Sequence, residues 1–240
     1  MARVATPPKP PRVARRIFAR LFRQHPDADT ELRYRNPFEL LVATILSAQT
    51  TDAGVNRVTP ALFDRYPDAG ALARADRAEL EALIKPTGFY RQKARTLLAV
   101  AQALVDRHGG RVPDTMEAMV ALPGVGRKTA SVVLGHAFKV PALAVDRHVL
   151  RVANRIGLAN SDDPEIVEQQ LAAVLPPADW TRASDTLILH GRRICRPKPL
   201  CDRCSVREDC EYYRRLEARP AARRARAPVE ARRAGAARRR

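Results

Sequence analysis

The chain has 240 residues, 45% of them hydrophobic, and carries 43 basic against 26 acidic side chains, a formal net charge of +17. That length and apolar share suffice for one domain or two small ones, and no apolar run approaches the roughly 20 residues that cross a membrane. The charge points to nucleic acid or another polyanion, but it is uneven. Residues 1–16 hold +5 and residues 214–240 hold +9, which leaves +3 for the body between them. Both ends are rich in Ala, Pro and Arg with little to bury, so residues 1–11 and 214–240 are expected to be disordered. Such tails either aid solubility, in a chain that favours Arg codons, or add salt-sensitive affinity for DNA. Pro7, Pro8, Pro10 and Pro11 interrupt the N-terminal stretch, so a signal peptide is not expected and the protein is read as cytoplasmic.

Between the tails nearly everything reads as helix. PFELLVATILSA (37–48) is apolar on almost all sides, as a central buried helix is, and Asn36-Pro37 is a usual helix start. Segments 55–66, 76–86 and 91–110 follow, the last with apolar residues at 97, 98, 101, 104 and 105 and a stop at Gly109–Gly110. DTMEAMVALPG and GRKTASVVLGHAFK form a pair joined by a Pro-Gly-x-Gly turn. Three more helices open at Asp146, Asp163 and Asp179, a residue type that caps helix N-termini. No alternating strand pattern and no internal repeat is seen. The fold class is all-α, with about ten short helices.

Two features carry chemistry. All four cysteines, Cys195, Cys201, Cys204 and Cys210, lie in one short stretch with the spacing C-x5-C-x2-C-x5-C. In a cytoplasmic protein this density implies a metal centre rather than disulfides. Zinc and a [4Fe–4S] cluster both accept four thiolates. Structural zinc usually has two C-x2-C arms, so the single short arm here leans towards iron–sulfur, in a structural role. Arg196 and Lys198 sit in the loop, within reach of a phosphate.

The second feature is LPGVGRKTA (122–130). A Leu-Pro-Gly-Val-Gly turn between helices is a helix-hairpin-helix, whose free amides at Leu122, Gly124, Val125 and Gly126, with Arg127, form a phosphate site. Only six of the 43 basic residues are lysines, and one of them, Lys128, stands just behind this turn. Arg would serve a phosphate as well, but only Lys can lose its proton near neutrality and attack carbon. A place in the first turn of a helix should lower its pKa, as a nucleophilic amine requires. The plainer reading is a phosphate-binding lysine. Eighteen residues on, Asp146 is either an ordinary N-cap or a carboxylate held beside Lys128 to stabilise positive charge on a sugar. His148 either caps the helix or meets a DNA backbone.

SAQTTD (47–52), LPGVGRKTA, VDRHVLRVANR (145–155), LILHGRRIC (187–195) and the four-cysteine loop together resemble the endonuclease III family of DNA glycosylases, in order from about residue 15 to 213. The resemblance implies two helical domains flanking a cleft: a six-helix domain with the hairpin at 30–140, and a cluster domain joining an N-terminal helix at 12–29 to 141–213. It implies a [4Fe–4S] cluster on the four cysteines, and a monomer that binds double-stranded DNA with a damaged base or abasic site. Lys128 matches the nucleophile and Asp146 the catalytic carboxylate of enzymes that excise oxidised pyrimidines and then nick the strand. Gln49 matches the side chain that fills the space left by the extruded base. Phe89, in TGFYRQKA, stands at a wedge position usually held by Leu. The first cysteine arm is x5 where the family more often has x6.

Three rivals are weighed against this reading. An adenine-mismatch glycosylase of the same fold would carry Glu where this chain has Thr44, and a thymine-mismatch relative often has Tyr where it has Lys128. A non-catalytic helix-hairpin-helix module would use the hairpin only as a clamp.

Overall fold

The computed structural model describes residues 8–225. Twelve α-helices and no strand occur among them: α1 (Pro11–Gln24), α2 (Pro37–Leu46), α3 (Asp52–Arg65), α4 (Ala69–Ala73), α5 (Arg77–Ile84), α6 (Tyr90–His108), α7 (Met116–Val120), α8 (Arg127–Val133), α9 (Arg147–Ile156), α10 (Pro164–Ala172), α11 (Trp180–Arg193) and α12 (Glu211–Ala225).

The helices bury two separate sets of side chains. The first core draws on Leu32 through Ala142, the span of α2 to α8, and α2 runs through its middle with every residue from Phe38 to Leu46 buried. Helix α2 starts where Asn36 accepts the amide of Glu39 and Pro37 supplies the first helical φ. The one charge on this helix, Glu39, is buried but accepts from both the amide and the guanidinium of Arg35, at 2.7 and 2.8 Å. Truncating a wholly buried leucine here, such as Leu41, would cost about 2–5 kcal/mol. This unit holds seven helices rather than six, because five-residue α4, capped by Asp68, hides in an Ala-Gly-rich stretch.

The second core joins Ala14, Ile17, Phe18 and Leu21 of α1 to Leu143 through Cys210. Helix α11 packs on both α9 and α1. The chain therefore crosses between the cores twice, once in the segment 25–36 and once near Ala142–Leu143.

Three expectations change. Residues 214–225 are helical, not disordered. Helix α12 is anchored in its first turn, where Glu211 pairs with Lys9 at 2.5 Å and Tyr212 and Tyr213 pack on the second core. Its Ala and Arg residues are good helix formers. The other end is likewise engaged from residue 9, whose amide bonds Gly157 O at 2.9 Å; the rest of both tails lies outside the described residues. Asp146 and Asp163 do cap their helices, but Asp179 makes no cap bond, being absorbed into a 3₁₀ turn at Pro177–Asp179.

Candidate active site

The hairpin runs from α7 to α8. Leu122 and Val125 are buried in the first core, and their amides donate to Met119 O and Leu122 O at 3.2 Å each, so neither is free for a phosphate as the sequence suggested. Gly124 has φ of 71°, and a Cβ there would meet Thr96 Cγ2 at 2.7 Å. A side chain is thus excluded twice, by conformation and by space. Gly126 is the N-cap of α8, and Lys128 is the second residue of that helix, exposed on its first turn. Helix α8 is short, seven residues, and passes into a π turn at Leu134–Phe138 that carries His136.

Asp146 enters from the other core. Its Oδ1 accepts the amides of His148 and Val149 at 2.7 and 2.8 Å, which caps α9. Both bonds fall on one oxygen, so capping engages only half of the carboxylate. Lys128 and Asp146 line the same pocket, between the two cores, with Thr44 and Ser47 of the first and Ile188 and Leu189 of the second. Thr44 is buried, its hydroxyl bound to Leu40 O at 2.7 Å.

Six further charged or titratable residues line this pocket: Asp29, Glu31, Asp52, His136, Asp185 and Arg192. Sequence reasoning did not single them out, although Asp52 and Arg192 lie inside quoted motifs. They are mutually paired. Arg192 bridges Glu31 at 2.8 Å and Asp52 at 2.9 Å. Buried His136 turns Nδ1 to Asp29 at 3.2 Å and Nε2 to Asp185 at 3.3 Å. One nitrogen to each carboxylate is a bridge across the pocket wall rather than three ligands around a common ion. Lys128 and Asp146 are the two charged side chains of the pocket that make no ion pair among the described residues.

The remaining expected DNA contacts divide. Gln49 and Phe89 are exposed, Phe89 by 66%, and both hold left-handed backbone, φ 55° and 47°. Arg196 and Lys198 are exposed on the cysteine loop. Arg127 instead makes two bonds to Glu168 of α10, at 2.7 and 2.8 Å, and would reach a phosphate only by giving them up. His148 is half-buried over Gly191 and outside the pocket. Burial lowers its pKa, and its Nδ1 lies 3.1 Å from Arg151 Nη2. Arginine only donates, so Nδ1 accepts and Nε2 carries the proton.

The four cysteines, none of them in a disulfide, line one cavity together with Ile156, His190 and Tyr212. Burial pushes the Cys204 thiol up to about 11, and raises Cys201 and Cys210 as well. Arg155 of α9 ties the loop down: it donates to Arg196 O at 2.6 Å and Pro197 O at 3.1 Å, approaches Cys195 Sγ at 3.6 Å, and stacks on Tyr212 at 4.6 Å.

A helical fold with a glycine hairpin opening onto a pocket between two cores defines the class. Residues 42–177 match the HhH-GPD superfamily base excision DNA repair proteins. The chain is 48% identical over 199 residues to endonuclease III of Synechocystis sp., covering 82% of this chain and 91% of that protein. It is 45% identical over 206 residues to endonuclease III of Rickettsia conorii, covering 85% and 98%. A solved structure of a trapped endonuclease III–DNA covalent intermediate superposes with a TM-score of 0.83 at 39% identity, covering 87% of this chain and 99% of that one. The chain belongs to the endonuclease III family, and is a base excision repair enzyme, a DNA glycosylase and AP lyase. No helix among the described residues is long and apolar enough to cross a membrane.

Proposed function

We propose that this enzyme, acting as a cytoplasmic monomer, removes oxidised pyrimidines of the thymine glycol type from double-stranded DNA and nicks the strand through a Schiff base on Lys128. The observation that carries this reading is the pairing pattern of the pocket: of its charged side chains, Lys128 and Asp146 are the two left without an ion pair among the described residues. An amine free of a carboxylate partner is available to attack. A free carboxylate nearby stabilises the positive charge that grows on the sugar as the base departs.

In the reaction, the Lys128 Nζ lone pair forms a bond to C1′ while the C1′–N bond breaks, and the base leaves with the electron pair and takes up a proton. The amine loses a proton and the sugar ring opens to an imine. Loss of the C2′ proton then expels the 3′ phosphate by β-elimination. Water hydrolyses the imine and frees Lys128. The base must first leave the stack, at a cost of a few kcal/mol that a damaged base lowers. Gln49 fills the vacated space and Phe89 wedges the duplex, in keeping with their exposure. The hairpin amides at Gly124 and Gly126 would hold a phosphate, those of Leu122 and Val125 being spent on Met119 O and Leu122 O, and Arg196, Lys198 and His148 act at the backbone. Supporting the covalent step, a protein 39% identical forms a covalent intermediate with DNA.

The two cores favour a domain with the hairpin at 30–140 and a second that joins 12–29 to 141–213. The second domain would hold a [4Fe–4S] cluster on Cys195, Cys201, Cys204 and Cys210. A single zinc ion at about 2.3 Å from each thiolate would bring the sulfurs to about 4 Å of one another. Among the described residues, the group of three ligand atoms mutually within 4.8 Å is Asp29, His136 and Asp185, and no three cysteine sulfurs are that close. The wider spread suits a cluster, which fixes the loop carrying Arg196 and Lys198.

The test is borohydride reduction of the protein on a thymine glycol duplex, which converts an imine into a permanent cross-link. A trapped band is expected with the wild type and none with Lys128→Gln, while the variant still binds the duplex. A band on an abasic site but not on thymine glycol would refute the lesion assignment. No band on either would refute the Schiff base and favour a monofunctional glycosylase or a DNA clamp.

A further inference from the structure

Lys93, in the first turn of α6, is only 4% exposed, yet no carboxylate lies within ion-pair distance of it among the described residues. Three things count against a cation there. Burial strips its water and lowers its pKa. No anion offsets it. The helix N-terminus opposes positive charge. A methionine would fill the same volume at none of these costs.

What the ammonium gains is three acceptors, one for each N–H: Leu46 O at 2.8 Å, Thr50 Oγ1 at 2.8 Å and Thr87 O at 2.7 Å. Thr50 in turn donates its hydroxyl to Thr87 O. The acceptors belong to two turns far apart in sequence. Leu46 and Thr50 bracket the turn that carries Gln49, and Thr87 lies two residues before Phe89. Gln49 and Phe89 are two of the three non-glycine residues with left-handed φ among the described residues, a conformation that persists only where surrounding structure enforces it. The main chain of Lys93 reinforces the same tie, since its amide bonds Phe89 O at 3.0 Å.

We propose that Lys93 is a positioning residue that locks the Gln49 and Phe89 turns into one unit, so that the two side chains enter the duplex together. This rests on the reading of Gln49 and Phe89 as the inserted residues. Substrate need not touch Lys93, which acts through the two turns it joins.

The full-length Lys93→Met variant, checked for folding by its melting curve, is compared with wild type in single-turnover cleavage of two substrates. One is a thymine glycol duplex, from which a base must be extruded. The other is a single-stranded oligonucleotide with an abasic site, where nothing is extruded or filled. The duplex rate should fall at least about tenfold, since three hydrogen bonds of a charged group are lost and one such bond alone is worth about that factor, and the single-strand rate should stay within about twofold. In the wild-type background Gln49→Ala and Phe89→Ala should be non-additive on the duplex, and in Lys93→Met they should become additive. Equal losses on both substrates, no loss on either, or an unchanged coupling would overturn the proposal. If Lys93→Met does not fold, Thr50→Val removes the hydroxyl between the two turns and must show the same substrate selectivity. Wild-type failure to form the borohydride cross-link would count against the Lys128 mechanism instead, and is read independently.

Discussion

Asp146 invites a pair of substitutions, because its two roles use different properties of one carboxylate. Capping of α9 needs an acceptor oxygen at Oδ1, which receives the amides of His148 and Val149. Charge stabilisation needs the negative charge. Asparagine keeps the acceptor and is as good an N-cap as aspartate, so Asp146→Asn should melt within about 1–2 °C of wild type. Alanine removes the acceptor and leaves two amides without a partner. That costs about 1 kcal/mol, or about 2–4 °C in a chain of this length. Activity should rank differently. Both variants lack the charge, and removing one preorganised electrostatic partner costs about 10²–10³-fold in rate. Single-turnover base release on a thymine glycol duplex, measured beside thermal melts, separates the two roles. The expected stability order is wild type and Asn together, then Ala. The expected activity order is wild type, then Asn and Ala together, far behind. If Asp146→Asn releases base at the wild-type rate, the carboxylate is only a cap and the charge argument fails.

Two shorter predictions follow from the supporting geometry. Gly124→Ala should destabilise the protein by about 1–3 kcal/mol, read as a lower melting temperature. Adding Thr96→Ser, which removes the methyl 2.7 Å from the new Cβ, should recover only part of the loss, because the φ of 71° stays unfavourable. Arg155→Ala should lower the content of the proposed cluster, seen as visible absorbance relative to protein, since it frees the carbonyls of Arg196 and Pro197 and the approach to Cys195. Arg155→Lys should rescue this only weakly, because a single ammonium cannot span the carbonyls and stack on Tyr212.

Where information is local, the sequence carried it. Helix α2 was legible from an unbroken apolar run behind Asn36-Pro37, and the cap at Asp146 from residue type alone. Features that depend on distant partners were not. Helix α12 looked like a solvated Arg-rich tail because its anchor, Lys9, is 202 residues away. Arg127 read as a phosphate ligand because Glu168 lies 41 residues on. Asp179 has the chemistry of a cap but sits in a 3₁₀ turn that leaves it no amide to accept. The pocket shows the same division. Lys128 stood out as a rare lysine behind a glycine turn, whereas His136, Asp185 and Asp29 are isolated polar residues that mean nothing until the π turn after α8, α11 and the 25–36 crossing meet. Lys93 was among the six lysines counted, but its burial follows only from the packing of α6 beneath two surface turns.

The pocket also explains how a basic protein can hold an acidic site. Five carboxylates line it against Lys128, Arg192 and His136. The net negative lining disfavours phosphates inside the pocket. A sugar that gains positive charge experiences the opposite field. The bridges Arg192–Glu31, Arg192–Asp52 and Asp29–His136–Asp185 hold four of the five carboxylates and fasten segments from both cores together. They leave one amine, Lys128 on the first core, and one carboxylate, Asp146 on the second, without an ion pair among the described residues, the two groups to which the proposed function assigns the chemistry. Because those two groups come from different cores, any change that lets the cores shift, such as loss of the Arg192 bridges, should slow chemistry without touching either group.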